Sequence, residues 1–463
     1  MQLSWVRQKR EELGISQYKM AKAIGVSNAF LSALELGKRP VETDEVNLLN
    51  DFFNNHQVYF HRNGVKLEKR KFQRDFIEAE TLKETERQKI TENFYKKNPW
   101  PKVSIDRGLK ALMLFSGIGG MSLGFKKAGY RIIGHVEIEE SANAIYAKNF
   151  PDSKCFGTDI RKVTDQQLKE IKKGYGEIDV IAGGPPCQGF SLAGKRNVLD
   201  PRNELFHEFA RFAKILKPRA ILLENVRTLL SMQTKEGKPL KDLLVQTFDD
   251  AGYNLIYKPV NAKEYGVPQS RERVVFIGLR KDLVKEKKFE FPLRLCGDSD
   301  ENLFEKKTLL PYKSFRQASL GLDLLESGEY SKVDPWHFAI RHPRHVIEML
   351  KSTPEGKSAH ENTDHSLRPR SGYNTTYKRI HWDEPSSTIS TNFSMISGSR
   401  NVHPKNTRSL TIREAMRCQT FPDHFLLEGT LGDIRKGIGN AVPPLLAEVF
   451  AKHLKNYTRS LSA

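Results

Sequence analysis

Residues 179–191 read DVIAGGPPCQGFS and place a cysteine directly after a short apolar run. The apolar residues before Gly183 predict a buried strand. The two prolines that follow stiffen the backbone and present Cys187 at the carboxyl edge of the sheet, where ligands bind in open α/β folds. A lone cysteine is usually an inert small hydrophobic residue, but the polar and conformationally special neighbours of Cys187 favour a nucleophile.

Short apolar runs alternate with helical patterns over residues 110–278. Such alternation is typical of a parallel sheet whose strands are joined by helices. The predicted fold class is therefore α/β, with a doubly wound, Rossmann-like sheet. Its clearest strands are expected at residues 111–115, 131–137, 179–182, 220–224 and 274–279.

Ligand-facing features are expected at the ends of the first three strands. Residues 115–120 read FSGIGG, a glycine turn that lets the backbone approach a ligand, although Ser122 stands where a full dinucleotide fingerprint has its third glycine. Taken alone, this turn could equally be only a tight strand-to-helix connection. Glu137 ends the second strand and could accept hydrogen bonds from ribose hydroxyls, and Asp159 could reach an adenine amine. Together they predict an adenosine-bearing cofactor.

Two further strands carry charged residues that a buried position would not favour. Glu224 follows an apolar run, and a carboxylate there is costly unless it serves a site or a partner. Residues 269–273 read QSRER before another apolar run, and strand alternation places Gln269, Arg271 and Arg273 on one face.

These segments resemble the cytosine-5 DNA methyltransferase family of bacterial restriction–modification systems. The resemblance covers about residues 112–446 and keeps the family's motif order. It implies an S-adenosylmethionine-dependent methyltransferase fold and the activity of a DNA (cytosine-5-)-methyltransferase. The motifs that carry it are FSGIGG at 115–120, GPPCQGFS at 184–191, ENV at 224–226, QSRER at 269–273, RSLTIREAMRCQTFPD at 408–423 and GIGNAVPP at 437–444.

The resemblance also implies roles for four catalytic residues. Cys187 would add to carbon 6 of cytosine, and Glu224 would bond the ring nitrogen and the exocyclic amine. Arg271 and Arg273 would hold the base carbonyl and the backbone. Because a base inside a duplex cannot meet Cys187, the target base would have to be flipped out.

On the cofactor side the resemblance implies a site for S-adenosyl-L-methionine in which the family's last motif folds back against the first. No metal site is expected, because His337, His342 and His345 lack cysteines and a second ligand cluster. The cofactor-binding residues expected are Phe115, Gly117, Gly119, Glu137, Ile138, Asp159, Ile160, Pro186, Leu205, Asn440 and Val442.

Double-stranded DNA is the expected substrate. Residues 188–202 are interpreted as a mobile lid, in which Gln188, Ser191 and Arg196 would contact DNA. The resemblance places a small, irregular target-recognition lobe between residues 278 and 408, where basic residues outnumber acidic ones and Arg379 is expected on DNA. A loop-rich structural lobe is the alternative reading of this stretch.

The first 62 residues resemble the helix-turn-helix of phage-repressor-like regulators. Ser16 is expected to cap a second helix and Ser27 a third, the recognition helix. In such units Gln17 and Ser27 commonly touch phosphate, and Asn28 lies where base edges are reached. We expect this all-α unit to bind an operator, where it could form a homodimer, and to repress its own gene. An accessory bundle for packing or dimerisation is the alternative.

The organisation expected along the chain therefore has five parts. Residues 1–62 form the helix-turn-helix domain, and the charge-rich residues 63–108 form a mostly solvated linker. Residues 109–281 form the catalytic core, 282–407 the target-recognition domain, and 408–463 the C-terminal part of the core.

Composition agrees with a DNA-binding protein of a reducing compartment. The formal net charge is +19 over 463 residues, which favours a polyanionic partner. The four cysteines are scattered, and no apolar run approaches the roughly 20 residues needed to span a bilayer. We expect a bacterial, cytoplasmic and nucleoid-associated protein.

Three other functions are compatible with parts of the pattern. An RNA cytosine-5 methyltransferase would share the catalytic motifs, but the helix-turn-helix and the long variable region argue against it. A transcription regulator with an inactive core would not need the intact set of Cys187, Glu224, Arg271 and Arg273. A dinucleotide oxidoreductase fails on the broken glycine fingerprint and leaves Cys187 without a role.

Overall fold

A computed structural model describes residues 4–24, 26, 28–36, 49, 52–53, 84–99, 108–186, 205–234, 237–284, 289–298, 309–369 and 373–460. The chain divides into two compact units, Met1–Asp75 and Phe76–Ala463, and each is described by itself. Within the described ranges, no helix is both long and apolar enough to cross a membrane.

The first unit contains three described helices: α1 (Ser4–Glu12), α2 (Gln17–Ile24) and α3 (Asn28–Glu35). They begin and end close to where the sequence predicts, and Gly14 turns the chain between α1 and α2 with a φ of 64°. Between α3 and residue 75 only Leu49, Phe52 and Phe53 are described, and all three are buried. Gly25, Ser27 and Gly37 lie outside the described residues.

A buried ion pair joins the first and third helices of this unit. Arg10 Nε donates to Glu35 Oε1 at 2.7 Å and Arg10 Nη2 donates to Glu35 Oε2 at 3.0 Å. Met20 and Leu31 are fully buried beside it. The three helices therefore share one core.

The second unit is built on helices and strands that follow the predicted alternation. Its elements are α4 (Glu84–Lys97), β1 (Lys110–Leu114), α5 (Gly120–Lys127), β2 (Arg131–Val136), α6 (Glu140–Asn149), β3 (Lys154–Gly157), α7 (Asp165–Tyr175), β4 (Val180–Gly183), α8 (Leu205–Leu216), β5 (Ala220–Val226), α9 (Leu240–Asp250), β6 (Tyr253–Asn261), β7 (Gln269–Ser270), β8 (Glu272–Arg280), α10 (Phe315–Ala318), α11 (Arg344–Lys351), β9 (Ser386–Ser387), α12 (Ile412–Cys418), α13 (Leu431–Asn440) and α14 (Pro444–Ser460).

Seven strands form the main sheet in the order β3-β2-β1-β4-β5-β8-β6. Strands β1 to β5 are parallel, and the predicted α/β fold is confirmed. The five clearest predicted strands correspond to β1, β2, β4, β5 and β8. Of these, β8 runs antiparallel to both β5 and β6, where the sequence predicts a parallel strand. The connection from β6 to β8 is too short for a crossover helix, and a short connection joins antiparallel neighbours.

Both faces of the sheet are covered by helices. Helices α7, α8 and α9 cover one face with residues such as Leu168, Phe209 and Phe248. On the other face α5 packs against α14, where a Cβ atom at Gly124 would lie 2.5 Å from the carbonyl oxygen of Pro444. The C-terminal helix therefore completes the core that the N-terminal strands begin.

Residues 309–440 form an irregular region with short helices and few strand pairs. Gln269 and Ser270 of β7 pair in parallel with Ser386 and Ser387 of β9, which ties this region to the main sheet. Its apolar residues share one cluster with the C-terminal segment, including Phe315, Trp336, Ile389, Phe421 and Ile438. The sequence predicts a small irregular lobe at residues 282–407, and the described parts of 309–407 are irregular; the bounds of this lobe and its role in target recognition stay predictions.

Helix α4 packs against other parts of the second unit, whereas the sequence predicts a mostly solvated linker at residues 63–108. Tyr95 Oη accepts a hydrogen bond from Trp336 Nε1 at 3.1 Å and donates one to the carbonyl oxygen of Phe425 at 3.1 Å. The Arg87 guanidinium lies 4.6 Å from the ring centroid of Trp336. Most residues of α4 are charged or polar, so the sequence did not indicate that Arg87 and Tyr95 make these contacts.

Candidate active site

The carboxyl ends of β1, β2, β4 and β5 open onto a cavity of about 620 Å³. Ligands bind at this edge in open α/β sheets, and the cavity continues to residues of α13. It brings together Glu224, Arg271, Arg273 and every predicted cofactor residue except Gly119, namely Phe115, Gly117, Glu137, Ile138, Asp159, Ile160, Pro186, Leu205, Asn440 and Val442.

The glycine turn after β1 lines the cavity with Phe115, Ser116, Gly117 and Gly120. Phe115 has a φ of 52°, which is unusual for a residue with a side chain, and Gly117 has a φ of 54°. Gly119 has a φ of 101° and caps α5, and a Cβ atom there would lie 2.3 Å from the ring of Phe150. Gly119 therefore permits close packing behind the turn, and its contact with the cofactor stays a prediction.

Glu137 stands at the end of β2 with both carboxylate oxygens oriented by backbone groups. Its Oε2 accepts the Gly117 N–H at 2.7 Å and its Oε1 accepts the Glu139 N–H at 2.9 Å. Burial raises the pKa of this carboxyl group above its usual value. Each oxygen keeps a further lone pair, so the group can accept hydrogen bonds from a diol.

Two more residues complete the wall beside Glu137. Ile138 lines the cavity and is 61% exposed, so it offers an apolar surface on which a flat ring can lie. Asp159 accepts two side-chain hydrogen bonds from Arg161, at 2.9 and 2.8 Å. These bonds lower the pKa of Asp159, which keeps it ionised and able to accept from an amine.

Glu224 lies at the other end of the cavity, beside the prolines that precede Cys187. The closest atoms of its ion pair with Arg273 are Oε1 and Nε, 2.8 Å apart. Among the described residues, Oε1 nevertheless accepts no hydrogen bond of acceptable angle. Asn225 Nδ2 donates to the carbonyl oxygen of Pro185 at 2.8 Å, which fixes the proline segment to the end of β5.

Arg271 is fully buried at the back of the same cavity. Its Nη1 donates to the carbonyl oxygen of Ile389 at 3.2 Å and its Nη2 to that of Gly439 at 3.0 Å. Burial lowers the pKa of Arg271 to about 9, which still leaves it charged at neutral pH. These contacts join the start of β8 to the segment of Ile389 and to α13, and the hold of Arg271 and Arg273 on the base carbonyl and the backbone stays a prediction.

Comparison with known proteins agrees with this geometry. Residues 109–456 match the family model described as C-5 cytosine-specific DNA methylase. The chain belongs to this family. Residues 6–56 match a helix-turn-helix family model, so the predicted N-terminal resemblance is also confirmed. The protein is thus a DNA cytosine-5 methyltransferase with a helix-turn-helix domain.

Curated relatives are Type II methyltransferases. M.DdeI of Desulfomicrobium norvegicum is 33% identical over 387 residues, which cover 75% of this chain and 89% of that protein. M.FnuDI of Fusobacterium nucleatum is 34% identical over 354 residues, covering 75% and 94% respectively. A solved structure described as a DNA modification methyltransferase encoded within an Escherichia coli prophage matches with a TM-score of 0.56 and 26% identity, covering 75% of this chain and 99% of that chain.

The nucleophile predicted for this methyltransferase lies just past a described segment. Cys187 and the predicted DNA contacts Gln188, Ser191 and Arg196 are outside the described residues. Pro186, the residue before Cys187, lines the cavity. A Cβ atom at Gly184 would lie 3.4 Å from Glu224 Oε2, so this segment passes directly beside the carboxylate.

Arg379 of the methyltransferase is an internal residue of the lobe, only 3% exposed. Its guanidinium donates to four carbonyl oxygens, those of Leu350, Thr353, His403 and Asn406, at 2.7 to 2.8 Å. Burial lowers its pKa to about 10. The prediction that Arg379 contacts DNA is therefore wrong, because its hydrogen-bond donors are directed at the protein's own backbone.

In the helix-turn-helix unit the predicted contact residues are only partly described. Gln17 begins α2, and its Nε2 donates to Glu35 Oε2 at 2.9 Å, which leaves its amide oxygen as an acceptor. Asn28 begins α3, the predicted recognition helix. The DNA contacts assigned to Gln17, Ser27 and Asn28 stay predictions.

His337 and His342 have polar partners within the protein. His337 Nδ1 lies 3.0 Å from Thr411 Oγ1, and His342 Nε2 accepts the Ser409 N–H at 3.1 Å. Within the described ranges, no three potential ligand side chains gather at one point.

Sequence reasoning missed residues on the α13 side of the cavity. Asp433 and Lys436 line it, and Lys436 Nζ lies 2.9 Å from Glu139 Oε2. The sequence could have indicated these residues by their position next to predicted cofactor motifs. Lys436 directly precedes the GIGN motif at 437–440, and Glu139 lies two residues after Glu137.

Proposed function

We propose that this DNA cytosine-5 methyltransferase modifies cytosine in one specific double-stranded sequence through a covalent adduct on Cys187. The observation that carries the proposal is the single cavity that extends from Glu137 to Glu224. An adenosine-bearing methyl donor at one end and a flipped cytosine at the other would share this space. The reacting groups would then meet without any further rearrangement of the sheet.

The residues at the Glu137 end fit S-adenosylmethionine. Glu137 can accept from ribose hydroxyls, Ile138 offers an apolar surface to the adenine ring, and Asp159 can accept from its amine. The cofactor supplies an electrophilic methyl group carried on a sulfonium. The chain's task is to orient that donor and to exclude water around it.

At the opposite end the chain would activate the base. The Cys187 thiolate would add to carbon 6 and make carbon 5 nucleophilic, and the cofactor held by Glu137, Ile138 and Asp159 would supply the methyl group and leave as its neutral thioether. Glu224 bonds the ring nitrogen and the exocyclic amine while charge develops, and its partner Arg273 faces the base carbonyl. Loss of the carbon 5 proton and elimination of the thiolate then restore the ring and free Cys187.

The target base would reach this cavity only by leaving the duplex. Flipping costs a few kcal/mol, which contacts from the loop beyond Cys187 would offset. The excess of positive charge over the whole chain is suited to holding the duplex, and binding should weaken steeply with salt.

We further propose that methylation protects DNA from a cognate restriction endonuclease and that the helix-turn-helix limits expression of the methyltransferase gene. The support is the helix-turn-helix match at residues 6–56 and the Type II names of the relatives. Such units commonly bind two half-sites as dimers, so a homodimer is expected on an operator.

The activity is tested by methyl transfer from labelled S-adenosylmethionine to unmethylated genomic DNA, followed by bisulfite sequencing. Methylated cytosines in one short motif, absent with Cys187→Ala, would support the proposal. A tRNA substrate run in parallel tests the RNA alternative, and transfer to tRNA but not to DNA would overturn the proposed substrate.

Regulation is tested separately with a promoter reporter. Deleting residues 1–62 should raise expression from the methyltransferase promoter, whereas Cys187→Ala should leave repression intact. Unchanged reporter activity after the deletion would refute the regulatory role and leave the enzymatic one standing.

A further inference from the structure

One ion pair crosses the rim of the cofactor end of the cavity. Lys436 belongs to α13, near the C-terminus, and Glu139 belongs to the segment that follows β2. Their closest atoms are 2.9 Å apart, both residues line the cavity, and their side chains are 49% and 51% exposed. The pair therefore joins two distant parts of the chain at the point where a ligand would enter.

Glu139 is linked directly to the carboxylate expected to hold the cofactor. The Glu139 N–H donates to Glu137 Oε1 at 2.9 Å, and Asn143 Nδ2 donates to the carbonyl oxygen of Glu137 at 2.7 Å. Any shift of residue 139 would thus move the carboxylate of Glu137. The side chain of Glu139 itself is held by Lys436.

The position of Lys436 is fixed from behind. A Cβ atom on the next residue, Gly437, would lie 2.5 Å from Ile118 Cγ2, and one at Gly439 would lie 2.4 Å from the Thr391 backbone nitrogen. Helix α13 is therefore packed tightly against the glycine turn and the lobe. This packing fixes the backbone that carries Lys436, so its side chain can hold Glu139.

Charge gives the pair a second effect on Glu137. Glu139 is a neighbouring like charge that adds to the burial in raising the pKa of Glu137. Lys436 neutralises Glu139, so losing the lysine would leave two carboxylates close together without compensation.

We propose that Lys436 is a positioning residue for the cofactor, which acts by holding Glu139 and thereby the carboxylate of Glu137 in the orientation that accepts ribose hydroxyls. This inference rests on the proposed use of S-adenosylmethionine. An exposed ion pair contributes at most about 1 kcal/mol to stability, so its removal should leave the fold intact. The corresponding change in cofactor affinity is about fivefold.

The chain offers a matched control on the same two segments. Lys148 of α6 pairs with Glu428, just before α13, at 2.6 Å, with side chains 50% and 46% exposed. Neither of these residues lines the cavity. Lys148→Met therefore removes an ion pair of the same type and exposure without touching the cofactor end.

Calorimetric titration of the full-length variants with S-adenosylhomocysteine, the demethylated cofactor, tests the proposal. Lys436→Met and Glu139→Gln should each weaken binding about fivefold, the double variant should be no weaker than either single one, and Lys436→Arg should restore affinity. In methylation assays KM for the cofactor should rise while kcat stays constant. Lys148→Met should bind like the wild type.

Three results would overturn the proposal. One is an affinity of Lys436→Met within twofold of the wild type, and another is an equal loss in Lys148→Met. The third is Glu139→Gln binding as tightly as the wild type while Lys436→Met and the double variant both bind weakly, because Lys436 would then act without Glu139, as a direct ligand. If the wild-type protein bound no cofactor, the proposed function itself would fail, and this inference with it.

Discussion

Glu224 Oε1 and Arg273 Nε lie 2.8 Å apart at the deep end of the cavity, in an ion pair whose carboxylate oxygen has no hydrogen-bond partner of good geometry among the described residues. A buried carboxylate left in this state is costly unless a ligand completes it. The pair can therefore accept hydrogen bonds from a polar ligand, which is the part that the proposed function gives it towards cytosine.

The first prediction concerns this pair. Glu224→Gln keeps the size of the side chain but removes its charge, so transition-state stabilisation should fall and kcat should drop by about 10²-fold or more. Single-turnover methylation measures the change. Cofactor affinity, read by calorimetry, should be unaltered because Glu224 lies at the other end of the cavity. A parallel loss of cofactor binding would contradict the separation of the two ends.

The second prediction concerns Glu137 and pH. Glu137→Gln should weaken cofactor binding on the order of tenfold at pH 7, because hydrogen bonds to a charged acceptor are the stronger kind. Burial raises the pKa of Glu137, so the wild-type carboxylate is protonated at a pH where an exposed glutamate is still ionised. Wild-type affinity should therefore weaken as pH falls from 7 towards the usual glutamate pKa of 4.5, and this loss should begin above that value and exceed the change in the variant.

The stability of the unbound protein should respond to Glu137 in the opposite direction. A carboxyl whose pKa is raised on folding favours the protonated fold, so its stabilising contribution is present at low pH and is lost as pH rises through the raised value. Thermal unfolding of the wild type and of Glu137→Gln across this range measures the difference. Parallel stability curves for the two proteins would show that burial does not perturb the group.

The third prediction separates two arginines of the lobe. Arg379→Met leaves four backbone carbonyls without their shared donor and should lower the free energy of unfolding by more than about 3 kcal/mol. Arg400 is exposed, and Arg400→Met should change stability by less than about 0.5 kcal/mol. Urea unfolding of both variants checks this, and equal stabilities would contradict the internal role of Arg379.

Arg379 also shows what a sequence can and cannot predict. The glycine turn, Glu137, Glu224 and the proline segment could be placed at one edge because apolar runs locate parallel strands and their carboxyl ends meet. An excess of basic residues does not say whether a given guanidinium faces phosphate or carbonyl oxygens. That choice depends on long-range packing, as it does for Arg271, which bonds Ile389 and Gly439.

Dependence on long-range packing also explains why the sequence did not predict strand β6 or the antiparallel direction of β8. Strand β6 has a mixed, partly exposed pattern and contains Pro259, which an edge strand tolerates but which hides the strand in a sequence. The antiparallel entry of β8 depends on that missed strand. The pairing of Lys436 with Glu139 joins residues far apart in the chain, which no local pattern can indicate.

The last prediction concerns where the catalytic unit begins. Helix α4 contacts both the lobe and the C-terminal segment, since Tyr95 bonds Trp336 and Phe425 and Arg87 covers the indole ring. A protein that starts at residue 76 should keep the thermal stability of the catalytic unit, because it retains α4. A protein that starts at residue 108 should unfold about 4 °C lower, because it loses these bonds and exposes the apolar face of Trp336.

The substitution Tyr95→Phe tests one contact of α4 without removing the helix. It deletes the hydroxyl that bridges Trp336 and Phe425 while keeping the aromatic ring, and it should cost about 1 kcal/mol. Thermal scans of the two truncated proteins and the point variant are compared with the full-length chain. Equal stability of the chains that start at residues 108 and 76 would contradict the prediction. The contacts of Tyr95 would then contribute nothing measurable to stability, and α4 would be only the solvated linker that its charged sequence suggests.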